Sequence, residues 1–164
     1  MKILHSFQPI LLTANILLFQ FCILACNSSP NSSLATTLSS YWKPGERTDT
    51  TIYVVIPNQG CEGCISEVES YVQTHAPLNT RNVVYIFTRI QSLKVLRFKL
   101  GYETLKLPNI KLDTANRIPF PDPEKLIYPM FVYTKNNKDF KIDYQSPQSN
   151  GLINLTNYIA LHKY

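Results

Sequence analysis

The sequence predicts an α/β domain with a mixed central sheet and helices on both faces. Three observations predict it. Two continuous β-branched and aromatic runs, Thr51–Ile56 and Asn82–Phe87, are each followed by apolar residues at helical spacing. The stretch from Thr51 to Phe87 is long enough for two parallel strands joined by a crossover helix, which takes about 30 residues. Two further runs, Met130–Thr134 and Phe140–Tyr144, flank an Asn-rich segment and form an antiparallel hairpin.

Taken in order, Thr51–Ile56 is continuous rather than alternating, as expected of a strand buried on both faces. Pro57 to Gly60 breaks it, and Cys61–Ala76 follows as a helix. There Ile65, Val68 and Val72 recur at three and four, with Glu62, Glu67 and Glu69 near the start, where the helix dipole favours acids. Pro77 ends it. After the second strand, Ile90–Leu100 is helical through Leu93, Leu96 and Leu100, stopped by Gly101. Tyr102–Glu124 is irregular, with a short strand at Ile110–Leu112 and an extended proline-containing loop. The hairpin follows, and Ser149 or Asn150 caps a last helix carrying Leu152, Leu155, Ile159 and Leu161.

Composition narrows the class. The chain has 164 residues, 45% hydrophobic and 16% charged, enough for one domain and too apolar for a disordered chain. Its net charge of +5 is spread without a dense basic run, which argues against nucleic-acid binding. Residues 1–25 read as an export signal, with Lys2 ahead of an apolar stretch that ends at Ala25. Ile23-Leu24-Ala25-Cys26 resembles the lipobox of bacterial lipoproteins, which implies a lipid on Cys26, a membrane anchor and a place in the bacterial cell envelope, facing the periplasm or exterior. A cleaved signal peptide or an uncleaved anchor with a buried Cys26 is the alternative. Residues 26–49, rich in Ser and Thr at their start and bearing Pro30, read as a flexible tether, and 50–164 as the folded domain.

The chemistry gathers at Cys61-Glu62-Gly63-Cys64, a C-x-x-C where a strand hands over to a helix. Unpaired N–H groups and the dipole at a helix start stabilise a thiolate. The thiolate is the nucleophile of disulfide exchange, and Cys64 comes back beneath Cys61 within one turn to resolve a mixed disulfide.

Here the chain resembles the thioredoxin family, over Thr51 to about Leu161. The resemblance rests on the strand before the motif, on the motif at the helix start, and on Tyr128-Pro129 just ahead of a hairpin strand. It implies a thioredoxin-like fold, a redox-active dithiol with Cys61 attacking and Cys64 resolving, and a protein or small thiol as substrate. It also implies a cis Pro129 beside the cysteines, with Tyr128 offering its backbone to the substrate. No cofactor is implied. The chain departs from the family at four places. Gly60 stands where an aromatic is common, Glu62-Gly63 lacks the usual proline, Val55 replaces a buried acid, and Tyr128 is bulkier than usual.

Three alternatives stay open. The runner-up reading is a permanent structural disulfide in a lipid-anchored binding or assembly protein. The cysteines are compatible with half of a metal site, although His75 and His162 lack useful spacing. Pro129 is also compatible with a trans bond at the start of an edge strand.

Overall fold

The computed structural model describes residues 30–41, 50–78, 82–135 and 139–161. A six-stranded sheet in the order β3-β2-β1-β4-β5-β6 forms the centre. Its members are β1 (Thr50–Pro57), β2 (Val83–Thr88), β3 (Ile110–Asp113), β4 (Met130–Lys135), β5 (Asp139–Ser146) and β6 (Ser149–Asn150). β1 pairs with β2 in parallel and β2 with β3 in parallel; β4 runs antiparallel to β1, and β5 antiparallel to β4. The sheet is therefore mixed, as expected, with the hairpin strand β4 directly beside β1.

Five α-helices complete the described chain: α1 (Pro30–Ser39), α2 (Glu62–His75), α3 (Leu93–Leu100), α4 (Tyr102–Leu105) and α5 (Gly151–Leu161), with a 3-10 turn at Pro123–Lys125. Period-2 alternation splits β1 between the two faces. Ile52, Val54 and Ile56 pack with Ile65, Val68 and Val72 of α2, Leu96 and Leu100 of α3, and Leu155 of α5. Tyr53 and Val55 pack on the other face with Val84, Ile86, Met130 and Val132, covered by Leu34 and Leu38 of α1. Helices thus lie on both faces. Among the described residues no helix is long and apolar enough to cross a membrane.

The expected tether requires correction. Pro30–Ser39, inside the 26–49 segment, is a helix docked on the sheet. Leu34 and Leu38, each 1% exposed, lie one turn apart and cover a face that would otherwise be bare. Two leucines among Ser and Thr are too few to register as composition, but they are spaced for one helix face. The hydroxyls back-bond to the helix itself, Thr36 to Ser32 O and Ser39 to Thr36 O. Beyond α1, Tyr41 approaches the Asp113 carboxylate, and burial with that acid beside it pushes the phenol up to about 12. Residues 42–49, including Trp42, lie outside the described residues.

Asp113 ties this end of the sheet together. Its carboxylate accepts from Thr88 Oγ1 at 2.8 Å, Arg117 N at 3.0 Å and Ile118 N at 3.1 Å. Burial opposes its ionisation, yet the backbone N–H groups of Arg117 and Ile118 and the hydroxyl of Thr88, with the Tyr41 phenol nearby, outweigh that and hold the carboxyl below its ordinary value. Pro57, Thr88 and Asp113 are register neighbours, so this network lies at the same edge of the sheet as the turn leaving β1.

Candidate functional site

The cysteine turn begins where β1 ends. Asn58 N donates to Thr88 O at 2.9 Å, and Asn58 Oδ1 accepts from Gln91 N at 3.3 Å, so both strand ends share one anchor. Gly60 then takes φ +147°, a conformation that side chains rarely tolerate. A β-carbon at Gly60 would fall on the carbonyl of Ile127. That close approach accounts for the absence of an aromatic before the first cysteine: there is no room for one.

Cys61 is the N-cap of α2 and makes no side-chain capping bond; its N–H donates to Ile127 O at 3.0 Å. Cys61 and Cys64 form a disulfide with their Cα atoms 5.3 Å apart. The two cysteines differ in exposure. Cys61 is partly exposed, whereas Cys64 is 7% exposed, one turn into the helix. Val55, two residues before the end of β1, lies in the apolar cluster beneath α1.

An open groove borders the disulfide. One wall is Cys61, Gly63, Cys64 and Glu67 of the α2 start; the other is the tight β5–β6 hairpin at 145–150, just ahead of α5. Gln145, 6% exposed, braces that wall. Its Nε2 donates to Glu67 Oε2 at 2.5 Å, its Oε1 accepts from Leu152 N at 3.1 Å, and its N–H donates to Pro129 O at 2.9 Å. At the foot of the same turn Asn150 Oδ1 accepts from Ile153 N at 3.2 Å and caps α5 as anticipated.

Tyr128 and Pro129 need correction. Topology brings the segment to the right place: Val55 pairs with Met130, so the residues ahead of β4 reach the level of the cysteines. But no peptide bond among the described residues is cis, so Pro129 is trans. Pro129 is also buried, and its carbonyl already serves Gln145. Tyr128 N donates back to Lys125 O at 3.0 Å. The carbonyl that touches the cysteine turn belongs to Ile127, and Cys61 N–H occupies it. Tyr128 N–H and Pro129 C=O are thus both engaged within the fold, and the cis-proline geometry expected there is not formed.

His75 sits at the far end of α2, stacked on Tyr71 with ring centroids 4.0 Å apart. Among the described residues no three His, Cys, Asp or Glu side chains gather as a metal site would require. Cys26 and His162 lie outside the described residues. Ile127, Gln145 and the 146–149 turn were not singled out from the sequence. They are distant in the chain, and their roles come from backbone contacts or a single amide, neither of which has a sequence signature. Compared with protein-family models, curated proteins and solved structures, the chain matches none.

Proposed function

We propose that the chain is a thioredoxin-like thiol–disulfide oxidoreductase whose reactive pair is Cys61–Cys64. The observation that carries this is the placement of the disulfide: a partly exposed cysteine at the N-cap of α2, bonded to a buried one further into the first turn, beside an open groove. Free N–H groups and the dipole at that helix start favour a thiolate on Cys61 once the pair is reduced. The strand arrangement supports the thioredoxin-like reading, with β1 and β2 parallel, β4 and β5 antiparallel, and the cysteines directly after the central strand. The partner approaches from the 145–150 side rather than over Pro129.

A second reading, a binding module with a structural disulfide, is favoured by one observation: Pro129 is trans and buried, and its carbonyl and that of Ile127 are already taken by Gln145 and Cys61. Trapping separates the two. Cys64→Ala leaves Cys61 unable to be resolved and accumulates mixed disulfides with partners, whereas Cys61→Ala accumulates few. Equal yields from both variants contradict the assigned roles.

Anchoring through Cys26 in the bacterial cell envelope belongs to the same proposal. Because α1 begins at Pro30, at most about 14 Å of extended chain would separate that cysteine from the folded domain. The domain would be held against the membrane rather than on a long leash. Intact mass of the mature protein tests it: a lipid-sized increment on Cys26 is expected, and a free thiol there contradicts it.

A further inference from the structure

The groove beside the disulfide has a one-sided charge. Glu67 lines it, and Glu62 is the exposed residue directly after Cys61. The facing wall carries amides, hydroxyls, Pro147 and no ionisable side chain. Behind that wall Asp143 accepts from Ser149 Oγ at 3.0 Å and also from Asn154 Nδ2, which adds a third carboxylate to the neighbourhood. Among the described residues lining the groove, none is Lys, Arg or His. Arg89, whose guanidinium donates to Leu126 O at 3.1 Å, is not part of the lining. A chain with a net charge of +5 thus presents its disulfide in a negative recess.

We infer that this recess selects partners by charge, admitting cationic thiols and disulfides and disfavouring anionic ones. The inference rests on the redox reading of the same site and adds the substrate class. The step concerned is opening of the disulfide by an aliphatic thiol. A partner thiolate attacks Cys61 Sγ, the Cys61–Cys64 bond breaks, and Cys64 leaves as a thiolate that takes a proton from water. A second partner thiolate attacks the partner sulfur of the mixed disulfide and releases Cys61. Two partner thiols are oxidised to one disulfide, and the protein disulfide is reduced by two electrons to a dithiol. Each attacking thiolate must enter the field of Glu62 and Glu67. Unit charges a helical turn apart in water change a rate by roughly threefold per pair, and salt screens the effect.

Three thiols of one skeleton test it: cysteamine, 2-mercaptoethanol and 2-mercaptoethanesulfonate, which bear an ammonium, a hydroxyl and a sulfonate. Opening of the disulfide in the full-length chain is followed for each, per thiolate, and divided by the same reagent's rate on bis(2-hydroxyethyl) disulfide. At an ionic strength of about 0.01 M the ratio should rise at least about threefold per step from sulfonate to hydroxyl to ammonium. It should flatten near 1 M salt, where the Debye length is about 3 Å. The double variant Glu62→Gln, Glu67→Gln should flatten it at low salt, and the amide introduced at position 67 retains an oxygen for Gln145. Three equal ratios, with 2-mercaptoethanol opening the bond readily, overturn the charge selection and leave the redox reading standing. A gradient that survives the double substitution overturns the assignment to these two carboxylates. A disulfide that the neutral thiol fails to open overturns the redox reading, and the charge selection falls with it.

Discussion

The two flanks of Cys61 are built on opposite principles. On one side Gly60 lies against Ile127 with no space for a β-carbon, and the Cys61 N–H is spent on the Ile127 carbonyl. On the other side nothing stands within 4 Å of a β-carbon at Gly63, and the wall across the groove is held largely by polar side chains, Gln145, Ser149 and Asn150. The closed flank fixes the geometry of the cysteine turn through backbone that no side chain can replace. The open flank leaves access, and its shape depends on polar side chains that can be changed one at a time. Rigidity and access are thus assigned to different neighbours of the same sulfur, and the segment expected to receive substrate has become part of the rigid side.

The glycines give the largest contrast. Gly60→Ala forces a side chain into the Ile127 carbonyl at φ +147° and should cost roughly 3 kcal/mol in urea unfolding. Gly63→Ala, in open space on a helix, should be neutral or stabilising by up to about 1 kcal/mol. Equal losses at the two positions would erase the distinction between the flanks.

Gln145→Leu comes next. It strips the brace from Glu67 and leaves Leu152 N without its acceptor, which should cost about 1–3 kcal/mol. It should also change the rate of Cys61–Cys64 opening, measured by thiol titration, because the open wall loses its shape. Unchanged stability and rate would mean that the turn 145–150 holds itself.

Acid titration reaches a network at the same sheet edge. Asp113 has a carboxyl held low in the folded state, so it contributes stability at pH values above its unfolded pKa, about 3.9. That contribution is lost as pH falls through the lower folded value. Thermal unfolding of the native chain should therefore weaken below about pH 4. Asp113→Asn should be less stable at pH 7 and should show a shallower fall in acid. The same slope in both proteins would remove Asp113 from the account of this edge.

The smallest effect is expected at Tyr128. With Pro129 buried and its carbonyl occupied, Tyr128→Ala should leave the rate of disulfide opening within about twofold of the native chain, below the smallest free-energy change mutational work resolves well. A tenfold change would return the substrate to this side.

Much of this was legible in the sequence, and the rest was hidden for identifiable reasons. Continuous runs such as Thr51–Ile56 and Asn82–Phe87 became central strands because little else buries β-branched residues on two faces. The C-x-x-C at a strand–helix boundary placed Cys61 at the cap and Cys64 inside the first turn. α1 was hidden because its signal is only Leu34 and Leu38, and what makes them helical is the uncovered face of a sheet formed far along the chain. The isomer of Pro129 was hidden because an X–Pro bond is set by its surroundings. Those surroundings include Gln145, whose amide meets Pro129 only after β5 has folded back on β4.

The reduction potential of the Cys61–Cys64 pair tests the central claim most directly. Equilibration of the full-length chain against glutathione or dithiothreitol buffers, followed by thiol quantification, measures it. A redox-active pair should lie between about −270 and −120 mV, the span of dithiol oxidoreductases. A value below about −300 mV is that of a structural bridge and would contradict the assignment.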